Sequence, residues 1–270
     1  MMSVKLLKGH VITMRLDKYL AESSVGTRRQ VRIEIKEGQV TVNGQVEIEP
    51  ARELFDEDVV AYKGQMINHP GKCYVMFHKP AGCITARKDE IHKTVMDYFD
   101  DSYAKSLFPV GRLDKDTEGL LLLTNDGEFD YRLMNPTNHV SKKYYFWVLG
   151  TITEESHKKL EQGLSISELE EITKPAKVEI IKSGTYDEYQ EELRGIDAKN
   201  MKENNYIQTV TAGYITVTEG RKHQVKRMLK AVGCYVVYLK RVQIGNLELD
   251  NTLAPGQYRE LTKEEVEAFL

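Results

Sequence analysis

The chain of 270 residues has little cysteine, no long apolar run and no strong charge of one sign. Its three cysteines, Cys73, Cys83 and Cys234, are odd in number and lack the close pairing of a zinc knuckle. That pattern argues against a disulfide framework or a cysteine metal site and reads as reduced, partly buried thiols. No stretch approaches the roughly 20 apolar residues of a membrane span, and the N-terminus lacks the basic, apolar, small-residue order of a secretory signal. Both absences point to a soluble, cytoplasmic protein with no membrane partner. A net charge of only −3 excludes a uniformly basic nucleic-acid binder, so any RNA affinity has to come from local patches set against acidic regions elsewhere. There is no heptad and no obvious self-complementary edge, and a monomer is expected.

What is present suits two domains, one small and one of ordinary size, with 41% apolar residues to build the cores. Residues 1–13 precede Met14-Arg15-Leu16-Asp17, which looks like a natural start, so they are expected to form an extra N-terminal arm. From Arg15 to Ser24 the apolar Leu16, Tyr19 and Leu20 recur at helical spacing. Gly26-Thr27 then offers a break and an N-cap for a second helix that Gly38 ends. Gln39–Val42 and Gln45–Ile48 flank Asn43-Gly44, a strong hairpin signal. Arg28, Arg29, Arg32 and Lys36 lie near one another on the second helix, and Arg15 and Lys18 can join them from the first, a patch suited to a phosphate backbone. The small domain is therefore placed at 14–62 and a linker at 63–71, where Gly64, Asn68, His69 and Pro70 loosen the pattern.

From 72 to 270, strand-like segments at Cys73–His78, Leu120–Thr124, Lys143–Leu149, Lys177–Ile181, 207–210 and Tyr214–Thr218 alternate irregularly with helical patterns at Glu154–Gln162, Lys222–Val232 and Lys263–Phe269. This order argues for an α+β domain around a mixed, largely antiparallel sheet. An acidic stretch at 183–206 would repel phosphates and is expected to lie away from any RNA path.

The richest segment is Gly111-Arg112-Leu113-Asp114-Lys115-Asp116-Thr117-Glu118-Gly119 followed by four leucines. Five charges in seven residues (112–118) abut a short apolar run, and a core cannot absorb them unless they pair or face a cleft. The segment reads as a polar active-site loop feeding a buried strand. Asp114, Asp116, Glu118 and Gly119 also match the first half of a calcium loop, but its last position, which needs a bidentate carboxylate, is Asn125. No metal is expected.

The segment GRLDKDTEGLLLLTNDG resembles the catalytic motif of the pseudouridine synthases, in the branch that modifies ribosomal RNA. Tyr74–Gly82, Lys142-Lys143-Tyr144 and Glu219–Met228 resemble the same branch, in order. Thr173-Lys174-Pro175-Ala176 and Leu253–Arg259 are similar to its small-subunit members. The resemblance implies a small N-terminal alpha-L RNA-binding domain, a pseudouridine synthase catalytic domain and no cofactor. The implied reaction is isomerisation of one uridine in 16S rRNA, as free RNA or as a small-subunit precursor ribonucleoprotein. It gives Asp114 as the essential carboxylate, Tyr144 as the aromatic stacked on the target base and Lys226 as the cation that keeps Asp114 ionised. Arg112 is implied to fill the space left by the extruded nucleotide, and Arg227 joins the basic residues that contact RNA. The alternative is a non-catalytic assembly factor on the same fold, which the presence of Asp114, Arg112, Tyr144 and Lys226 disfavours. His78, His139 and His223 lack a partner at a telling spacing and read as structural.

Overall fold

The computed structural model describes residues 6–7, 10–69, 71–100, 107–196 and 208–269. It divides into two units, Met1–Cys73 with Asp100–Leu107, and Tyr74–Phe99 with Phe108–Leu270.

In the first unit the two expected helices form at Leu16–Glu22 and Arg28–Lys36. The Thr27 hydroxyl accepts from the Gln30 amide at 3.3 Å and the Gln30 side chain accepts from the Thr27 amide at 2.9 Å. This reciprocal box is worth about 1 kcal/mol to the helix start. Gly38 follows the second helix at φ +73°. Asn43 and Gly44 both take positive φ, 53° and 78°, the geometry of a two-residue hairpin turn between Val40–Val42 and Gln45–Val46. A second such turn at Lys63-Gly64 pairs Val60–Tyr62 with Gln65–Met66. The span expected as a linker thus opens inside a hairpin of this unit's four-stranded sheet. Residues 10–13, expected in an extra arm, belong to the strand His10–Arg15, which pairs antiparallel with Glu53–Phe55. Leu16, Leu20, Val31, Ile35, Leu54 and Val60 close the core.

The second unit is built on one nine-stranded sheet. Its main order is Lys177–Thr185, Thr209–Val217, Lys142–Leu149, Tyr235–Ile244, Glu118–Thr124, Tyr74–Lys79, Tyr258–Glu260. Every pairing is antiparallel except that of Glu118–Thr124 with Tyr235–Ile244, which makes the sheet mixed and largely antiparallel, as expected. The Tyr235–Ile244 strand had no counterpart in the sequence reading, although it lies at the middle of the sheet. The two strands expected on either side of residues 211–213 are one, Thr209–Val217. Gly213 is there because a Cβ would collide with the Glu179 carbonyl of the neighbouring strand, not because the chain turns.

Along Lys142–Leu149, period-two alternation sends Tyr144, Phe146 and Val148 to one face and Tyr145, Trp147 and Leu149 to the other. The helices Glu154–Gln162 and Gln224–Ala231 cover the first face through Leu160, Met228 and Leu229. The acidic stretch covers the second face, where Tyr189, Leu193 and Ile196 pack against Trp147 and Glu192 pairs with Lys182. Its remainder, from 197, lies outside the described residues up to 207. A helix at Gly127–Met134, capped by the Asp126 carboxylate, occupies a stretch whose Asn-Asp-Gly opening reads as a plain turn.

Candidate active site

The charged loop is held from both sides. Lys79, fully buried at the end of its strand, donates to the carbonyls of Pro80 at 3.0 Å and Thr117 at 2.9 Å. The Thr85 hydroxyl donates to the Leu113 carbonyl at 2.8 Å and accepts from the Leu113 amide at 3.1 Å. Burial pushes the Lys79 ammonium below its ordinary pKa. The Thr117 amide donates to the Asp114 carbonyl at 3.1 Å and closes the turn. Asp114 is thereby presented by a clamped loop, not by a free one.

Gly119 explains why the loop runs where it does. At φ +103° it sits in register with Arg241 at the parallel pairing. A Cβ at Gly119 would collide with the Arg241 backbone carbonyl. The absence of a side chain lets the two strands close, and Arg241 Nε then donates to the Leu120 carbonyl at 2.8 Å.

Above this junction lies a cavity of about 500 Å³, lined among others by Arg112, Asp114, Tyr144, His223, Lys226 and Arg241. The Asp114 carboxylate, 28% exposed, lies 3.5 Å from Lys226 Nζ and 3.5 Å from His223 Nε2. Lys226 also pairs with the Asp116 carboxylate. Burial alone would raise the Asp116 carboxyl, but the hydrogen bond and charge of Lys226 outweigh it and leave it below its ordinary value. Lys226 therefore bridges two carboxylates, one inside the cavity and one outside its lining. Glu118 is drawn elsewhere, accepting from the Tyr238 hydroxyl at 2.9 Å. The two carboxylates that could have occupied Arg112 are thus taken by other groups, and Arg112 stands exposed at the cavity.

Asp114, Tyr144, Lys226 and Arg112 all line this cavity. Arg227 does not. It donates to the Ile166 carbonyl at 3.1 Å and to Glu170 at 2.8 Å, away from the cavity lining. His223 was set aside in the sequence reading, yet it takes a left-handed conformation, φ 52°, ahead of its helix and faces Asp114. Lys142, Thr117 and Arg241 also line the cavity, and only the fold makes them visible there. Among the described residues no group of three or more His, Cys, Asp or Glu could hold a metal, and none of their helices is long and apolar enough to cross a membrane.

In the first unit Arg15, Arg28, Arg29, Arg32 and Lys36 line a separate open groove of about 550 Å³. Its centre is Asp17, whose side chain is 2% exposed and lies 2.9 Å from Arg15, 3.4 Å from Arg28 and 3.8 Å from Arg32. Lys18 falls outside this groove lining and pairs with Glu22 at 3.6 Å.

Residues 73–231 match the RNA pseudouridylate synthase family and residues 14–60 match the S4 domain. A Bacillus subtilis protein named "Uncharacterized RNA pseudouridine synthase YtzG" is 42% identical over 260 residues, 94% of this chain and 97% of that protein. The "Ribosomal small subunit pseudouridine synthase A" of Escherichia coli K12 is 35% identical over 254 residues, 94% of this chain and 98% of that protein. A solved pseudouridylate synthase superposes with a TM-score of 0.63 at 32% identity, covering 96% of this chain and all of that one. The family match covers more than half of the chain, and relatives 35–42% identical align along 94% of it; the chain belongs to the RNA pseudouridylate synthase family.

Proposed function

We propose that this pseudouridine synthase isomerises one uridine of small-subunit (16S) rRNA, with Asp114 as its essential carboxylate. The observation that carries the reading is the Asp114 carboxylate held 3.5 Å from Lys226 in a cavity that also presents Tyr144 and Arg112. The reaction breaks the uridine C1′–N1 bond, turns the base and joins C5 to C1′, and it needs an ionised carboxylate beside the sugar. The Lys226 ammonium lies against the carboxylate on the cavity wall. Tyr144 offers a flat surface for the extruded base, and Arg112 offers a planar cation for the gap it leaves.

Small-subunit rRNA as the substrate is supported by the relatives of that name, which align over 94% of this chain, the S4 region included. In this reading residues 14–62 dock the RNA backbone through Arg15, Arg28, Arg29 and Arg32, and 72–270 carry out the chemistry on RNA or a precursor ribonucleoprotein in the cytoplasm, as a monomer. The test is to map pseudouridines in unmodified 16S rRNA and in precursor particles after incubation with the protein. One new pseudouridine is expected in a small-subunit RNA; binding without any modification would contradict the reading.

A further inference from the structure

Five buried side-chain polar atoms have no hydrogen-bond partner among the described residues, and two of them, Thr117 Oγ1 and Arg241 Nη2, belong to residues lining the cavity. Thr117 is 2% exposed and Arg241 3%. Beside them Lys142 is 8% exposed and lies two residues before Tyr144 on the same face of its strand. Arg241 stands opposite Tyr144 on the neighbouring strand. Lys142 spends one donor on the Val140 carbonyl at 3.0 Å, and an ammonium carries three. Among the described residues neither Lys142 nor Arg241 has a carboxylate partner. Glu219, the other acid of the lining, is occupied by Gln224 at 2.7 Å and Arg221 at 3.2 Å.

Two buried like charges and an unpartnered hydroxyl in one wall are destabilising in the empty protein. Burial, and then the Arg241 charge, push the Lys142 ammonium down to about 8. Such an arrangement becomes favourable when a ligand brings acceptor atoms and negative charge to it. A backbone phosphate remains in water at the mouth of a site, whereas these donors are buried next to the ring of Tyr144, where a flat base fits.

We infer that Lys142, Arg241 and Thr117 form a donor wall that holds the carbonyl oxygens of the uracil ring and stabilises the anion the ring becomes on detachment. The inference rests on the pseudouridylation reading of this cavity. When C1′–N1 breaks, its electron pair stays with the ring, and the negative charge spreads onto the ring nitrogens and oxygens. The ring turns, its C5 joins the electron-poor C1′ left by that cleavage, the C5 proton is lost to solvent and N1 takes up a proton from solvent, so the product is an isomer of the substrate. Lys142 and Arg241 transfer neither proton nor electron. They neutralise the charge in place, as preorganised donors do in a water-poor site, and keep the detached base from escaping.

The test is single-turnover release of tritium from 16S rRNA carrying [5-³H]uridine, with enzyme saturating, for the wild type, Lys142→Met, Thr117→Val and Thr117→Ser. RNA binding and thermal melting are followed in parallel. The expected result is a rate lowered about 100-fold in Lys142→Met and about 10-fold in Thr117→Val. Thr117→Ser stays near wild type and RNA affinity within about twofold. Lys142→Met is expected to melt no lower than wild type, because it removes an unpaired buried charge. Wild-type rates in both Lys142→Met and Thr117→Val overturn the inference alone. So does a loss confined to RNA affinity with a shallower salt dependence, which marks a phosphate contact. A wild type that releases no tritium overturns the inference together with the reading beneath it.

Discussion

The two candidate functional regions share one ingredient, a carboxylate beside basic side chains, and arrange it in opposite ways. Asp17 is 2% exposed and sits under Arg15, Arg28 and Arg32, whose side chains are 44%, 59% and 57% exposed. Asp114 is 28% exposed at the edge of a cavity, and its neighbour Lys226 is the more enclosed member at 24%. In the first unit the acid is hidden and holds the exposed arginines around it. In the second the base is the more enclosed partner, and one carboxylate stays reachable from the cavity. Burial, not charge composition, separates the proposed RNA-docking face from the proposed reaction centre.

The comparison requires the second region to be rigid, and Gly119→Ala breaks it most severely. The new methyl would strain a φ of +103° and meet the Arg241 carbonyl, at a cost of about 4 kcal/mol or more. Denaturant unfolding should show that loss, and wild-type stability would refute the close strand contact. Next in size, Lys226→Met removes the cation that both Asp114 and Asp116 share. Single-turnover rate should fall about 10²–10³-fold, with an unchanged rate showing that Asp114 needs no cation. Asp17→Asn probes the other side. If the acid orders the arginines, RNA affinity should fall about tenfold despite the gain in positive charge, and tighter binding would show that it only neutralises them. Arg28→Ala should weaken RNA binding a few-fold and reduce the salt slope by about one, whereas an unchanged slope would remove Arg28 from the phosphate path.

The smallest effect is on the pH dependence of stability. Lys142 titrates near 8 in the folded protein against an ordinary 10.5. Between those values the unfolded chain binds more protons, so stability should rise with pH across that window. Lys142→Met should flatten the rise, and an identical slope in the variant would show that Lys142 is not the group responsible.

Local rules made part of this molecule legible from its sequence. Asn43-Gly44 and the Thr27–Gln30 pair specify their turn and cap within four residues, and both form as read. The motif around Asp114 identified the polar loop and the buried strand after it. What was hidden depends on partners distant in sequence. Tyr235–Ile244 opens on the β-branched and aromatic run Tyr235-Val236-Val237-Tyr238, a strand signal that the sequence reading left unassigned; it is paired on both sides, and its Arg241 looks like an ordinary surface charge until the sheet buries it. His223 earned no role from spacing because Asp114 is 109 positions away in the chain (223 − 114). Arg227 looked equivalent to its basic neighbours until the Glu170 contact turned it aside.

The most direct test of the central claim is the rate at which Asp114→Asn isomerises 16S rRNA under single-turnover conditions, beside its RNA affinity. Removing the charge while keeping the shape should lower the rate about 10⁴-fold or more and leave affinity within about twofold. A variant that isomerises at the wild-type rate would contradict the account.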